Sequence, residues 1–159
     1  MATAAAAMWV LAESEPAPMR PSERVVCNDY VIGKELGSGA HGVVYHGQCK
    51  RTGRSVAIKV IHRLESTEDS VRREVGVMRR VGLHRGIAAL YDLYETPQHF
   101  YLVQEFVSGG ELFDAIIDSG SFTEERAAGL AAQIADAAAF LHSQGLCHAD
   151  SECTANWTS

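Results

Sequence analysis

Gly37-Ser38-Gly39-Ala40-His41-Gly42 lies between two runs that both read as β-strand, and this placement constrains the fold more than any other feature of the chain. Glycines at this spacing serve dinucleotide-binding turns, phosphate flaps and ordinary hairpins. A dinucleotide fingerprint runs from strand directly into helix. Here Val43-Val44-Tyr45-His46-Gly47 continues as strand instead. No βαβ unit surrounds the glycines, which disfavours a dinucleotide-dependent oxidoreductase. A P-loop closes on Lys-Ser/Thr, and no such pair follows Gly42. A glycine turn between two strands can still lie over a polyphosphate, because small residues let backbone N–H groups approach the oxygens.

The flanking pattern supports an antiparallel sheet. Residues 30–36 (YVIGKEL) and 42–49 (GVVYHGQC) border the glycine turn. A second tight turn, RTGR at 51–54, leads into SVAIKVI at 55–61, which is rich in β-branched residues. Residues 68–81 change to helical periodicity, with Val71, Val75 and Met78 on one face. Gly76 costs that helix about 1 kcal/mol relative to Ala, and Gly82 is placed to end it. Two more strands are expected over 87–95 and 99–107, across a turn at Pro97. After Gly109-Gly110 the pattern is helical: a short helix over 111–117, then a long one over 123–143. The long helix has Thr123 as N-cap and Glu124 and Glu125 in the first turn, where the dipole favours acids. Its expected buried stripe is Leu130, Ile134, Ala138 and Leu141, and Gly145 is placed to stop it.

Lys59 is the residue with the poorest structural excuse. It stands late in the apolar strand VAIK, where an unpaired ammonium is costly to bury. Glu74, on the next helix, is the obvious carboxylate partner, and such a pair would hold the ammonium toward phosphates beneath the glycine turn. A lysine at a sheet edge with its head in water is the bland alternative.

Composition narrows the partners. A formal charge of -6 offers no general reason to expect nucleic acid, and the pairs Arg72-Arg73 and Arg79-Arg80 read as solvated helix face. Four cysteines (Cys27, Cys49, Cys147 and Cys153) show no metal-ligand spacing and read as reduced thiols of a cytoplasmic protein; no metal-ligand set is expected. The opening MATAAAAMWVLA has no basic n-region and is too short to span a bilayer, so residues 1–24 are expected to be a disordered leader with no membrane role.

Taken together, LGSGAHGVVY, VAIKVI, REVGVMRRV, YETPQHFYLVQEFVSGGELFD, FTE and GLCHAD resemble a eukaryotic protein kinase, most of all the calcium/calmodulin-dependent and calcium-dependent serine/threonine group. The resemblance implies an α+β fold: a small lobe of five antiparallel strands and one helix (25–107), then the first helices of a large lobe (108–150), followed by a non-matching tail (151–159). It implies ATP as the bound nucleotide, a protein as substrate or partner, and a calcium/calmodulin link through the group alone. Gly37, Gly39 and Gly42 would then cover the phosphates, and Lys59 would hold them while paired with Glu74. Leu36, Val44 and Ala57 would border the adenine, and Gln104 falls at the gatekeeper position. The backbone of Glu105 and Val107 would meet the adenine edge, and Glu111 would reach the ribose. Met78, Leu90 and His148 match the hydrophobic spine that couples the lobes. Asp150 matches the aspartate that orients the attacking hydroxyl.

The match departs after Asp150. Ala149 replaces the arginine that commonly precedes this aspartate, and the chain continues Ser151-Glu152-Cys153-Thr154-Ala155 where the family has Leu-Lys-Pro-Glu-Asn. The position of the metal-binding asparagine therefore holds Ala155, and the Asp-Phe-Gly motif is absent. The expectation is an incomplete kinase domain, inactive alone and lacking the Mg²⁺ ligands of a complete one. A catalytically dead, kinase-like fragment that binds a protein partner is the alternative.

Overall fold

The computed structural model describes residues 9–11, 25–39, 42–109, 117 and 123–148. The described elements are β1 (Trp9–Leu11), α1 (Val26–Asp29), β2 (Tyr30–Gly39), β3 (Gly42–Cys49), β4 (Ser55–His62), α2 (Glu68–Val81), β5 (Leu90–Glu95), β6 (His99–Glu105), α3 (Glu124–Ser143) and β7 (Leu146–His148). Glu111, Asp150, the tail 151–159 and all but Ile117 of the short helix expected over 111–117 lie outside the described residues.

Strands β2 to β6 form one antiparallel sheet in the order β2-β3-β4-β6-β5, the five-stranded arrangement expected from the sequence. Period-two alternation along β4 divides its side chains between two cores. Val56 and Ile58 pack with Val26, Tyr30, Tyr94 and Val103 on one face. Ile61 joins Phe100 and Leu102 on the other, where Val71 and Val75 of α2 cover them. Each such fully buried side chain contributes about 1.5–3 kcal/mol. The helix is therefore held to the sheet chiefly by apolar contact.

Helix α2 begins and ends where its sequence signals place it. The Thr67 side chain accepts a hydrogen bond from the Ser70 N–H at 3.2 Å, and the helix stops at Gly82, whose φ of 65° suits glycine. Its burial is wider than expected, however. Val77 and Val81 are also buried, forming a third core with Leu141 and Leu146. Arg80 is not simply solvated face either, because its guanidinium donates to the Gln144 carbonyl beyond α3.

Strand β5 starts at Leu90, three residues later than expected. Ile87 instead closes a turn on His84, and Ala89 bonds Glu105 through both its backbone groups. Strand β6 likewise ends at Glu105 rather than Val107. Helix α3 is capped by Thr123, as expected. Its expected stripe is corrected: Leu141 is buried, Leu130 and Ala138 are half-buried, and Ile134 is 53% exposed. The reason is that α3 meets the sheet-bearing unit near its C-terminal end, where Phe140 stacks on His84 at 4.4 Å and Asp136 pairs with Arg85 at 2.9 Å. Strand β7 pairs antiparallel with β1, with Val10 opposite Cys147, so a strand lies within the segment read from sequence as a disordered leader.

The two edges of the five-stranded sheet also meet. Tyr30 of β2 donates to Asp92 Oδ2 of β5 at 2.7 Å, and Tyr94 of β5 donates to Asp29 Oδ2 at 2.7 Å. The two rings pack edge to face at 6.1 Å. Right-handed twist curls the sheet, and these reciprocal bonds close the curl. Burial, then the bond to Asp92, pushes the Tyr30 phenol well above its ordinary value of 10.0. Tyr30→Phe should cost about 1.5–3 kcal/mol, the worth of a hydrogen bond to a charged group. Because the folded state retains the proton longer than the unfolded state, this contribution is complete below pH 10 and declines as pH rises further. Urea melts of both proteins at pH 8 and pH 11 should show the gap between them narrowing.

Candidate functional site

Cross-strand register gathers the expected residues on one face of the sheet. Val44 stands opposite Lys59, Ala57 opposite Gln104, and Leu90 opposite Gln104 from the other side. These positions share the face that carries Ile61, Phe100 and Leu102, against which α2 packs. The β2–β3 turn lies at the open end of the same ladder, with Gly37 paired to Val44 and Gly39 to Gly42. Leu36 and Gly37 are half-buried, as are Val44 and Ala57, while Gly39 is exposed.

Lys59 is the buried charged residue of this face, at 8% exposure. Its Nζ donates to Glu74 Oε1 at 2.6 Å. The carboxylate arrives because Glu74 precedes Val75, one of the two α2 residues seated on Phe100 and Leu102. Apolar packing thus sets the helix depth, and the ion pair occupies the remaining gap. The geometry leaves an ammonium held by one carboxylate at the base of a glycine turn, an arrangement chemically suited to a polyanion.

At the far end of β6 the chain leaves the sheet. The Glu105 N–H donates to Ala89 O at 2.8 Å, and the Glu105 side chain accepts from the Ala89 N–H at 3.3 Å. Phe106 meets His46 of β3 edge to face at 4.9 Å, and Val107 is half-buried. The Gln104 amide donates to Met78 Sδ at 3.5 Å, which ties β6 to α2. No signal in the sequence points to that bond, since only the fold brings residues 78 and 104 together. Among the described residues, no group of three or more His, Cys, Asp or Glu is placed to hold a metal.

A curled five-stranded sheet with a glycine turn between its first two strands, and a lysine–glutamate pair joining its third strand to the helix, is the small lobe of a protein kinase. The chain belongs to that family: the model for the protein kinase domain matches residues 30–151. Its relatives include myosin light chain kinases and calcium/calmodulin-dependent protein kinases. It is 38% identical over 138 residues to a probable myosin light chain kinase of Dictyostelium discoideum, covering 87% of this chain and 42% of that protein. It is 43% identical over 123 residues to human calcium/calmodulin-dependent protein kinase type 1B, covering 76% of this chain and 36% of that protein. The fold resembles the crystal structure of Rad53 residues 1–466 in complex with AMP-PNP, with a TM-score of 0.72 and 32% identity. That match covers 81% of this chain and 34% of the Rad53 chain. The chain thus spans about two fifths of the length of these curated relatives.

Proposed function

We propose that this chain is the nucleotide-binding part of an ATP-dependent serine/threonine protein kinase, with small lobe 25–107 and the start of a large lobe over 108–150. The observation that carries the reading is the buried Lys59 ammonium, bonded at 2.6 Å to Glu74 on the face beside the glycine turn. ATP fits this site: the ammonium meets α/β-phosphate oxygens, and Gly37, Gly39 and Gly42 allow backbone N–H groups to close over them. Leu36, Val44 and Ala57 pack on the adenine, with Gln104 behind it, while the backbone of Glu105 and Val107 meets its edge. In the same reading Glu111 reaches the ribose, and Asp150 orients the hydroxyl of a protein substrate. ATP when bound supplies the transferable phosphoryl group. The protein's share is to position it and to offset its charge.

Among the described residues no cluster is placed to hold magnesium, and the segment after Asp150, where the family carries a metal ligand, lies outside them. The sequence after Asp150 also departs from the metal-binding pattern. The 159-residue chain by itself is therefore expected to bind ATP weakly and to transfer no phosphate. The name of the calcium/calmodulin-dependent protein kinase type 1B relatives extends the reading to calcium/calmodulin control. Cytoplasmic placement belongs to the same proposal; the described residues include no helix long and apolar enough to cross a membrane.

Titration with ATP should show affinity falling about tenfold or more in Lys59→Met, the effect of losing one charge-assisted contact. Equal affinity in the two proteins would remove the nucleotide reading. Phosphorylation of a basic peptide by the wild-type chain with Mg-ATP, abolished in Lys59→Met, would overturn the expected inactivity. A second reading, a kinase-like protein-binding module, is favoured by the exposed Ile134 on α3 and by the exposure of residues 131–136 around it.

A further inference from the structure

Arg63 lies just beyond β4 and uses every nitrogen of its guanidinium, reaching the end of β5, the turn that follows it and the start of α2. Nε donates to the Thr96 carbonyl at 2.9 Å, in the turn between β5 and β6. Nη2 donates to Glu95 Oε2 at 3.1 Å, and that carboxylate's side chain is 7% exposed. Nη1 donates to Glu68 Oε2 at 3.3 Å, on the first residue of α2. The guanidinium also lies over the Phe100 ring, 4.0 Å from its centroid. Phe100 is the fully buried residue on which Val71 and Val75 of α2 rest. The Arg63 backbone N–H completes the attachment by donating to Gln98 O at 2.9 Å.

We infer that Arg63 is a positioning residue for the Lys59–Glu74 pair, clamping the first turn of α2 to the β5–β6 turn so that Glu74 stays in reach of the ammonium. The inference rests on the reading of that pair as the phosphate-binding element. Glu74 lies six residues after Glu68, about 9 Å along the helix axis. A helix fixed at its start by Arg63 and along its side by Val71 and Val75 has little freedom to swing Glu74 away from the sheet. Without the clamp, the apolar seat remains but the leading turn is released. A planar fork serves this purpose better than a point charge, because three acceptors on two elements are reached simultaneously.

The chain contains three lysines, Lys34, Lys50 and Lys59, and the first two are exposed. Acetic anhydride labelling, read by peptide mass spectrometry, therefore reports the release of Lys59 against two internal references. Labelling of Lys59 should rise roughly fivefold in Arg63→Ala, the shift in a local opening equilibrium expected when a charge-assisted contact set is lost. It should rise at least as far in Glu74→Gln. Tyr30→Phe, which weakens the opposite core, should leave the Lys59-to-Lys34 ratio unchanged. Should Arg63→Ala fail to fold, Arg63→Lys decides, since it keeps a charge near Glu95 without the fork and should still release Lys59.

An unchanged ratio in a folded Arg63 variant, while Glu74→Gln raises it, would overturn the inference. An equal rise in Tyr30→Phe would do the same by showing general loosening. A parallel arm with ATP separates the two claims: failure of ATP to protect wild-type Lys59 counts against the nucleotide reading and leaves the clamp standing.

Discussion

Glu74→Ala is expected to destabilise the chain by about 3 kcal/mol or more, because it strands a buried ammonium. Lys59 is 8% exposed and sits among apolar neighbours, with Glu74 at 2.6 Å as its partner. Removing one member of such a pair costs more than the pair itself contributes, since the remaining charge stays desolvated. The double variant Lys59→Met with Glu74→Leu should therefore recover most of the loss when compared with the single variants in a urea double-mutant cycle. A strongly positive coupling energy is the expected result. An additive cycle would mean that the two side chains are solvated independently and that the short contact carries no energetic weight. Nucleotide affinity should not recover in the double variant, because the cation is gone. Stability and binding are thus expected to part company at this site, as they do where a charge is retained for function at the expense of packing.

Gly42→Ala should be comparably damaging for a different reason. Gly42 closes the glycine turn at φ 114°, in a region that residues with a Cβ rarely adopt. A Cβ built there would come within 2.2 Å of the Val60 carbonyl oxygen and 3.3 Å of Ile61 Cα, both backbone atoms of β4 that cannot rotate away. The strand or the turn must move. Strained φ alone costs about 1–2 kcal/mol, and displacing a ladder strand adds to it, so a total near 3 kcal/mol is expected. Thermal melts provide the measurement. A Gly53→Ala variant makes a suitable contrast: its φ of 71° is also positive, but nothing lies within 4 Å of the added carbon, so it isolates the backbone penalty from the clash. Equal losses in the two variants would show that β4 yields to the added carbon.

Most of the fold was legible because its signals are local. The strand 42–49 and the helix 68–81 fall within the expected limits, since β-branched runs, helical periodicity and a glycine stop act over a few residues. The pairing of Lys59 with Glu74 was also legible, because an ammonium in an apolar strand demands a partner and the next helix offered a carboxylate. Less legible was anything set by where α3 docks. Its apolar spacing pointed to a buried stripe of four residues, yet Ile134 is exposed, since periodicity marks an apolar face without saying what covers it. The wider burial of α2 has the same origin: Val77 and Val81 are buried by Leu141 and Leu146, sixty or more residues away.

The amino-acid sequence by itself determined the succession of the five sheet strands and of the helices over 68–81 and 124–143, the glycine turn, and the lysine that must find an acid, because these follow from spacing and from the cost of burying charge. Only the tertiary structure decided which residues hold that pair in place. Arg63 reaches Glu68, Glu95 and Thr96, and Gln104 reaches Met78, through contacts between elements that no local pattern encodes. Side-chain hydrogen bonds depend on ångström-scale placement of separate elements, and that placement is fixed by the packing of the whole core.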